Sequence, residues 1–214
     1  MIEDRFFSVE KLILFTRYPE PGVVKTRLIP ALGEEGAADL QRRMTEAAAK
    51  EAASVCAMRS GQLEICYDGG GQERVEQWLA AVAPDGRCCS QGDGDLGRRM
   101  EQAFARAFAE GCQRVVLRGS DCPGLSAAIV NQAFEGLSDH DLVIGPALDG
   151  GYYLLGLAAP QASLFADMEW GDAGVLTRTL KRAEAIGLQV FLLEALADVD
   201  RPEDLCHLDH YSHP

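Results

Sequence analysis

The chemistry this chain could perform is concentrated in four polar loops. The segment Gly119-Ser120-Asp121-Cys122-Pro123-Gly124 follows, after Arg118, the apolar run Val115-Val116-Leu117. That run reads as a buried strand, and an aspartate past its carboxyl end lies where open α/β sheets bind ligands. Two more acidic loops adjoin apolar runs, Asp149-Gly150-Gly151-Tyr152 and Asp198-Val199-Asp200-Arg201-Pro202. Near the start, Arg17, Lys25 and Arg27 supply positive charge after the first apolar run. Carboxylate oxygens suit Mg²⁺ or Mn²⁺, often one or two per ion with phosphates completing the shell. Carboxylates for a cation together with cations for phosphates point to chemistry on a nucleotide.

Each loop also has a plainer reading. In Tyr18–Leu28, Gly22 and the backbone amides would let a phosphate approach while Lys25 and Arg27 neutralise it. A basic loop can equally be solvated surface, and the segment fits neither the P-loop spacing nor the dinucleotide fingerprint. Asp121 could cap a helix, but Ser126 is better placed for that. Asp200 and Glu203 form a D-x-x-E spacing with Pro202 between them, which resembles a helix cap and leaves Asp198 unexplained. Asp149-Gly150-Gly151 fits a tight turn as well as a loop against which an acceptor rests. Gly92 and Gly94 would admit a flat base, with Asp95 capping the next helix or touching the ligand. Arg98 and Arg99 lie off that helix's apolar face and read as exposed, as do His207, His210 and His213 near the C-terminus. Ser120 lacks the G-x-S-x-G context of a hydrolase nucleophile.

The elements that must position these loops alternate. Apolar runs predict strands at Lys11–Thr16, Leu63–Tyr67, Arg87–Ser90, Arg114–Leu117, Leu142–Ile144, Tyr152–Leu157 and Gln189–Leu193. Helical spacing predicts a helix from about Glu34 with Ala37, Leu40, Met44, Ala47, Ala48 and Val55 inward, and a second over Glu73–Ala81. A third carries Leu96, Met100, Ala103, Phe104, Ala107 and Phe108 on one side. Ser126 heads a fourth, Asp172 caps a fifth over Val175–Ile186, and a short helix follows Pro202. The alternation implies a three-layer α/β/α sandwich, Rossmann-like, with a mostly parallel sheet in one domain spanning residues 1–214.

Composition narrows the partners. At 214 residues, with 47% apolar and 25% charged residues, the chain can build an ordinary core. A formal charge of −13 with no basic stripe argues against nucleic acid as partner. No apolar run is long enough to span a membrane, and the start MIEDRFFSVEKLILF lacks the features of a secretion signal. Seven cysteines without a C-x-x-C pair read as buried reduced thiols, which suggests a cytoplasmic protein.

Taken in order, LILFTRYPEPGVVKTRL, GDLGRRM, VVLRGSDCPGL, GPALDGGYYLLGL and DVDRPEDL resemble one family over about Lys11 to Leu208. It is the family of bacterial glycosyltransferases labelled arsenosugar-biosynthesis-type, or radical-SAM- and selenodomain-associated. That family is similar to the nucleotide-diphospho-sugar transferase (GT-A) fold and akin to phospholactate guanylyltransferases and molybdenum-cofactor nucleotidyltransferases. The resemblance implies a nucleotide across the sheet's carboxyl edge and phosphate contacts from the Lys25 and Arg27 loop. It further implies metal contacts from Asp121 and Asp200, with Asp198 close by, and base and ribose contacts from Gln91, Gly92 and Asp95. Two departures stand out: Arg17 where the family often has lysine, and Trp170-Gly171-Asp172 where it often has Trp-Ser-Thr.

The resulting expectation is a metal-dependent glycosyltransferase taking a nucleotide-diphospho-sugar donor and a small-molecule acceptor. Asp149 would position the acceptor or act as base, with Gly150, Gly151, Tyr152 and Trp170 around it. Nucleotidyl transfer from a nucleoside triphosphate to a phosphorylated small molecule needs the same cations and carboxylates and is the alternative. A non-catalytic nucleotide-binding regulator is the third reading.

Overall fold

The computed structural model describes residues 9–211. Seven strands form one sheet: β1 (Glu10–Arg17), β2 (Gln62–Asp68), β3 (Arg87–Ser90), β4 (Arg114–Gly119), β5 (Leu142–Pro146), β6 (Tyr152–Leu157) and β7 (Val190–Leu192). Their order across the sheet is β3-β2-β1-β4-β6-β5-β7. All neighbours are parallel except β6, which runs antiparallel to both β4 and β5. The chain begins at β1 in the middle, winds outward to β3, then returns to place β4 on the other side of β1. This reversal opens a crevice between the carboxyl ends of β1 and β4.

Five helices cover the sheet: α1 (Ile29–Arg59), α2 (Gln72–Leu79), α3 (Leu96–Ala109), α4 (Ala127–Gly136) and α5 (Val175–Ala185). Strand alternation sorts the core into two layers. Leu12, Leu14, Ile65 and Val116 pack with Ala52 and Val55 of α1, Val75 of α2 and Phe134 of α4. From the opposite face, Ile13, Phe15, Leu117 and Leu155 pack with Met100 and Phe104 of α3 and Ala183 of α5. A third cluster joins Leu28 to Ala37, Leu40 and Met44 of α1, and to Val199 of the last acidic loop. Burial of these apolar surfaces is the main stabilising term.

The expected strands and helices are all present, with revised ends. The first helix starts five residues early, at Ile29, and is broken at Gly33, whose φ of 72° and ψ of 170° are not helical. Ser126 occupies the cap position of α4, but its side chain makes no cap hydrogen bond. Gly174 directly precedes α5, and Asp172 reaches it by accepting from the Gly174 N–H at 2.7 Å. Leu96, expected on the apolar side of α3, is 46% exposed. The C-terminal helix is a 3₁₀ helix over Pro202–Tyr211. No helix among the described residues is long and apolar enough to cross a membrane. His207 is exposed as expected, the His210 side chain is not among those described, and His213 lies outside the described residues.

Candidate active site

At the carboxyl ends of β1 and β4 the loops enclose a cleft of about 780 Å³. Its wall includes Arg17, Lys25, Arg27, Gln91, Asp121, Asp149, Gly151, Tyr152, Trp170, Asp198 and Asp200. Gly22, Gly92, Asp95 and Gly150 do not line it. Gly22 stands beside the Glu34 carboxylate, and Asp95 is spent as the cap of α3, accepting from the Arg98 N–H at 2.8 Å. Gly150 is pressed against the backbone of Ala173.

Lys25 holds two of the acidic loops together. It precedes a 3₁₀ turn over Thr26–Leu28 and adopts the left-handed conformation, with φ 48° and ψ 38°. Non-glycine residues rarely do so, at a cost of order 1–3 kcal/mol, so the surroundings must enforce it. They do: the side chain is 2% exposed, its Nζ lies 3.0 Å from Asp121 Oδ1 and donates to the Val199 carbonyl at 2.6 Å. The Val199 N–H in turn donates to the Asp121 carbonyl at 2.9 Å. Arg27 pairs with Asp200 across the same gap, while its side chain stays 61% exposed. These two cations therefore sit directly on the carboxylates of Asp121 and Asp200.

A polar bed supports Asp121 from below. Ser120 Oγ donates to Asp121 Oδ1 at 3.1 Å, and Gln41 Nε2 donates to Ser120 Oγ and Thr16 Oγ1, each at 3.3 Å. Thr45 Oγ1 lies 2.7 Å from Thr16 Oγ1. Thr16, Gln41, Thr45 and Ser120 are all buried, where unpaired hydroxyls would be costly. Sequence reasoning missed this network. Its signal was Gln41 and Thr45 breaking into the apolar stripe of the first helix.

The acids are mutually close. Burial pushes the Asp198 carboxyl up, and the charges of Asp149, Asp204 and Asp200 add to the effect. Asp149 is exposed and closes a tight turn, its Oδ1 accepting from the Gly151 N–H at 2.8 Å. Asp200 and Glu203 do not form the expected cap. Instead Asp204 Oδ2 accepts from the N–H groups of Asp200 at 3.1 Å and Arg201 at 2.7 Å, which leaves the Asp200 carboxylate for Arg27.

On the β3 side of the cleft, Gln91 is tied to the sheet. Its Nε2 donates to the carbonyls of Thr16 at 3.0 Å and Cys66 at 3.1 Å. Arg99, read as exposed from sequence, lines the cleft and donates to Asp68 Oδ2 at 3.1 Å and to the Gly94 carbonyl at 3.0 Å. Arg98 is exposed as expected. On the β6 side, Tyr152 and Trp170 meet edge to face at 6.5 Å, and burial holds the Tyr152 hydroxyl well above its ordinary range. The Trp170 indole N–H is buried against Gly97 with no partner among the described residues. Asp172 is engaged by Arg178 at 2.6 Å.

Known proteins share this architecture. Residues 51–172 match a family model described as an uncharacterized protein conserved in bacteria, DUF2064. A crystal structure from Desulfovibrio desulfuricans G20, provisionally named a nucleotide-diphospho-sugar transferase, is 36% identical with a TM-score of 0.85, covering 93% of this chain and 85% of the other. A 2-phospho-L-lactate guanylyltransferase from Methanopyrus kandleri is 39% identical over 89 residues, which are 40% of this chain and 45% of that protein. The match therefore spans less than half the length of that curated relative. The 4-diphosphocytidyl-2C-methyl-D-erythritol synthase of Anaerococcus prevotii DSM 20548 shares the fold alone, at 9% identity and a TM-score of 0.65 over 96% of this chain and 98% of the other. The model match covers more than half of the residues, so the chain belongs to the DUF2064 family, and its homologues are transferases of the nucleotidyl- and sugar-transferase fold.

Proposed function

We propose that the chain is a metal-dependent nucleotidyltransferase that moves a nucleoside monophosphate from a nucleoside triphosphate onto a phosphorylated small molecule. The observation that carries this reading is the convergence of Asp121, Asp198 and Asp200 with Arg17 and Arg27 at the reversal point of the sheet. The guanylyltransferase relative favours nucleotidyl transfer over the glycosyl transfer expected from sequence.

The residues fit a hard divalent cation. Asp198 is partly buried among like charges and makes no ion pair among the described residues. Asp121, with its side chain 49% exposed, turns a carboxylate toward the cleft. A cluster of three acidic ligands is absent among the described residues, as suits an ion that takes one or two carboxylates and completes its shell with phosphates. One or two of Asp121, Asp198 and Asp200 would hold Mg²⁺ or Mn²⁺, which when bound neutralises charge on the phosphate oxygens and leaving group.

The three cations then have different tasks. Lys25, enclosed and bonded twice, positions Asp121 and the last acidic loop. Arg27 and Arg17, 61% and 65% exposed, can exchange their carboxylate partners for phosphate oxygens. An acceptor phosphate oxygen attacks the α-phosphorus, the bond to the bridging oxygen breaks, and pyrophosphate leaves. Asp149 stands where it can orient the acceptor beside Gly151 and Tyr152.

The test combines each nucleoside triphosphate with Mg²⁺ or Mn²⁺ and a panel of phosphorylated acceptors, followed by pyrophosphate detection. Pyrophosphate release that depends on acceptor is expected. Glycosyl transfer, favoured by the name of the Desulfovibrio structure, would instead release a nucleoside diphosphate from a nucleotide sugar. Nucleotide at about 100 times its dissociation constant should stabilise the fold by about 2.7 kcal/mol. If no nucleotide raises the melting temperature with either metal, the proposal fails.

A further inference from the structure

Cys66 and Cys89 stand on neighbouring parallel strands as register partners, and their Sγ atoms are 3.3 Å apart. Cys66 is fully buried, whereas Cys89 is half-buried on β3, the short edge strand that pairs only with β2. Arg106 of α3 lies over the pair, with its Nη2 3.4 Å from each sulfur. Its other partner is Glu64 Oε1 at 2.5 Å, which lies 3.4 Å from both sulfurs. Cys88, the neighbour in sequence, points to the opposite face and packs in the other core layer.

Glu64, Cys66 and Cys89 are close enough to bracket a metal ion. Arg106 already supplies the positive charge there, however, so a divalent cation would have to displace a paired guanidinium. The same guanidinium suits a thiolate. The contact with Cys66 draws the Cys89 thiol below its ordinary value and the Arg106 charge adds to this, while burial and the Glu64 carboxylate oppose it. The contact with Cys89 and burial push the Cys66 thiol up. Cys89, the more accessible sulfur on the edge strand, is thus the one a peroxide reaches, and the fully buried Cys66 is its resolving neighbour.

We propose that Cys66 and Cys89 are a reversible oxidation site that takes a peroxide and closes to a disulfide, and that the nucleotide cleft reads its state through Gln91. The second half rests on the proposed function of the cleft. In the first step, Cys89 thiolate forms an S–O bond as the peroxide O–O bond breaks, releasing hydroxide that is protonated to water. In the second, Cys66 sulfur gives up its proton and attacks Cys89 sulfur; the S–S bond forms, the S–O bond breaks, and a second water leaves. Two thiols lose two electrons and the peroxide gains them.

Disulfide sulfurs lie about 2.05 Å apart with Cα atoms usually about 5.5–6 Å apart, whereas paired strands run about 4.8 Å apart, so closure must rotate both side chains and ease β3 away from β2. The edge position of β3 leaves it room to move. Gln91 is two residues beyond Cys89; its N–H donates to the Tyr67 carbonyl at 2.9 Å and its amide to the carbonyl of Cys66 itself. A shift of either cysteine therefore moves the residue that lines the β3 side of the cleft.

The test treats the full chain with hydrogen peroxide and maps its peptides without reduction. The expected product joins the peptides bearing Cys66 and Cys89, lighter by two hydrogens and restored by dithiothreitol. It persists in Cys88→Ser and is wholly lost in Cys66→Ser and in Cys89→Ser. A link through Cys88, sulfinic acid at Cys89 with Cys66 still free, or no reaction overturns the assignment. One tightly held zinc ion that blocks the link overturns it in favour of a metal site. The coupling is read as the nucleotide-induced melting shift of oxidised against reduced protein, each with Mn²⁺ and a nucleoside triphosphate. A changed shift is expected, and equal shifts overturn the coupling. If the reduced protein binds no nucleotide, the cleft reading and the coupling fall together, while the disulfide stands on the peptide map.

Discussion

Lys25 accepts a backbone conformation usual for glycine because its ammonium is held from two sides, by the Asp121 carboxylate and the Val199 carbonyl. A methionine there keeps the apolar stem and loses both partners. Lys25→Met should cost about 2 kcal/mol in urea unfolding, the scale of a charged hydrogen bond removed from a buried site. It should also weaken nucleotide binding by letting the two acidic loops part. Asp121→Asn keeps most of that packing, and its expected effect is a fall of at least about 10²-fold in kcat/KM for pyrophosphate release. Asp121 was legible in the sequence because it is an acid with no local use beside a strand end. Which cation would touch it was not legible, since Lys25 reaches it from a distant stretch of chain. Nor was the Asp204 cap, because Asp200, Glu203 and Asp204 carry the same charge at neighbouring spacings and only the backbone turn selects among them.

Among the elements, the connection between β5 and β6 is tightly constrained. Gly150 has φ +91°, and a Cβ there would meet the Ala173 carbonyl oxygen at 2.2 Å. Its own carbonyl accepts from the Leu176 N–H at 2.9 Å, docking the Asp149 turn onto the first turn of α5. Gly150→Ala therefore strains one backbone and displaces another. It should lower stability by about 2 kcal/mol or more, seen as a fall in the urea midpoint, and move Asp149 relative to Trp170. The periodicity of these elements was readable, since strand alternation and helical spacing both follow from which face is buried. The helical turn Ile29–Leu32 before Gly33 was not: helical spacing put the start at Glu34, and Ile29 is held by packing on the third core cluster with Leu28 and Val199. Arg99 was misjudged for a related reason. The helix face it occupies points at the cleft and not at bulk solvent, a fact set by how α3 lies on the sheet.

At the scale of the whole molecule, the end of the sheet opposite the cleft has its own charge network. Lys11, 2% exposed, pairs with Glu64 and Glu110, which also engage Arg106 and Arg87. Burial raises the Glu64 carboxyl, but hydrogen bonds and charge from Arg106 and Lys11 outweigh it and hold the group below its ordinary 4.5. The hydrogen bond from Lys11 chiefly holds Glu110 below that value too. Folded carboxyls with depressed values stabilise the protein fully above pH 4.5, and that contribution is lost as the pH falls through their folded values. The urea midpoint should thus drop as the pH falls below about 4.5, and Glu64→Gln should flatten that slope while lowering the midpoint at neutral pH. Sheet order and the covering of both faces could be inferred from alternating strands and helices. The reversal of β6 was also carried by the sequence, because the connection from Ile144 to Tyr152, with its Asp149-Gly150-Gly151 turn, is too short for a parallel crossover.

That reversed direction has a practical result. The start of β6 adjoins the Asp149 turn, so its end, leading into Ala158–Gln161, emerges on the far side of the sheet. Six residues of strand separate the two ends, about 20 Å at the usual rise. Ala159 and Pro160 are exposed there. A fluorescent reporter or an immobilising tether grafted between them would leave the mouth of the cleft open to ligands, which makes this bend the natural handle for every binding measurement described above.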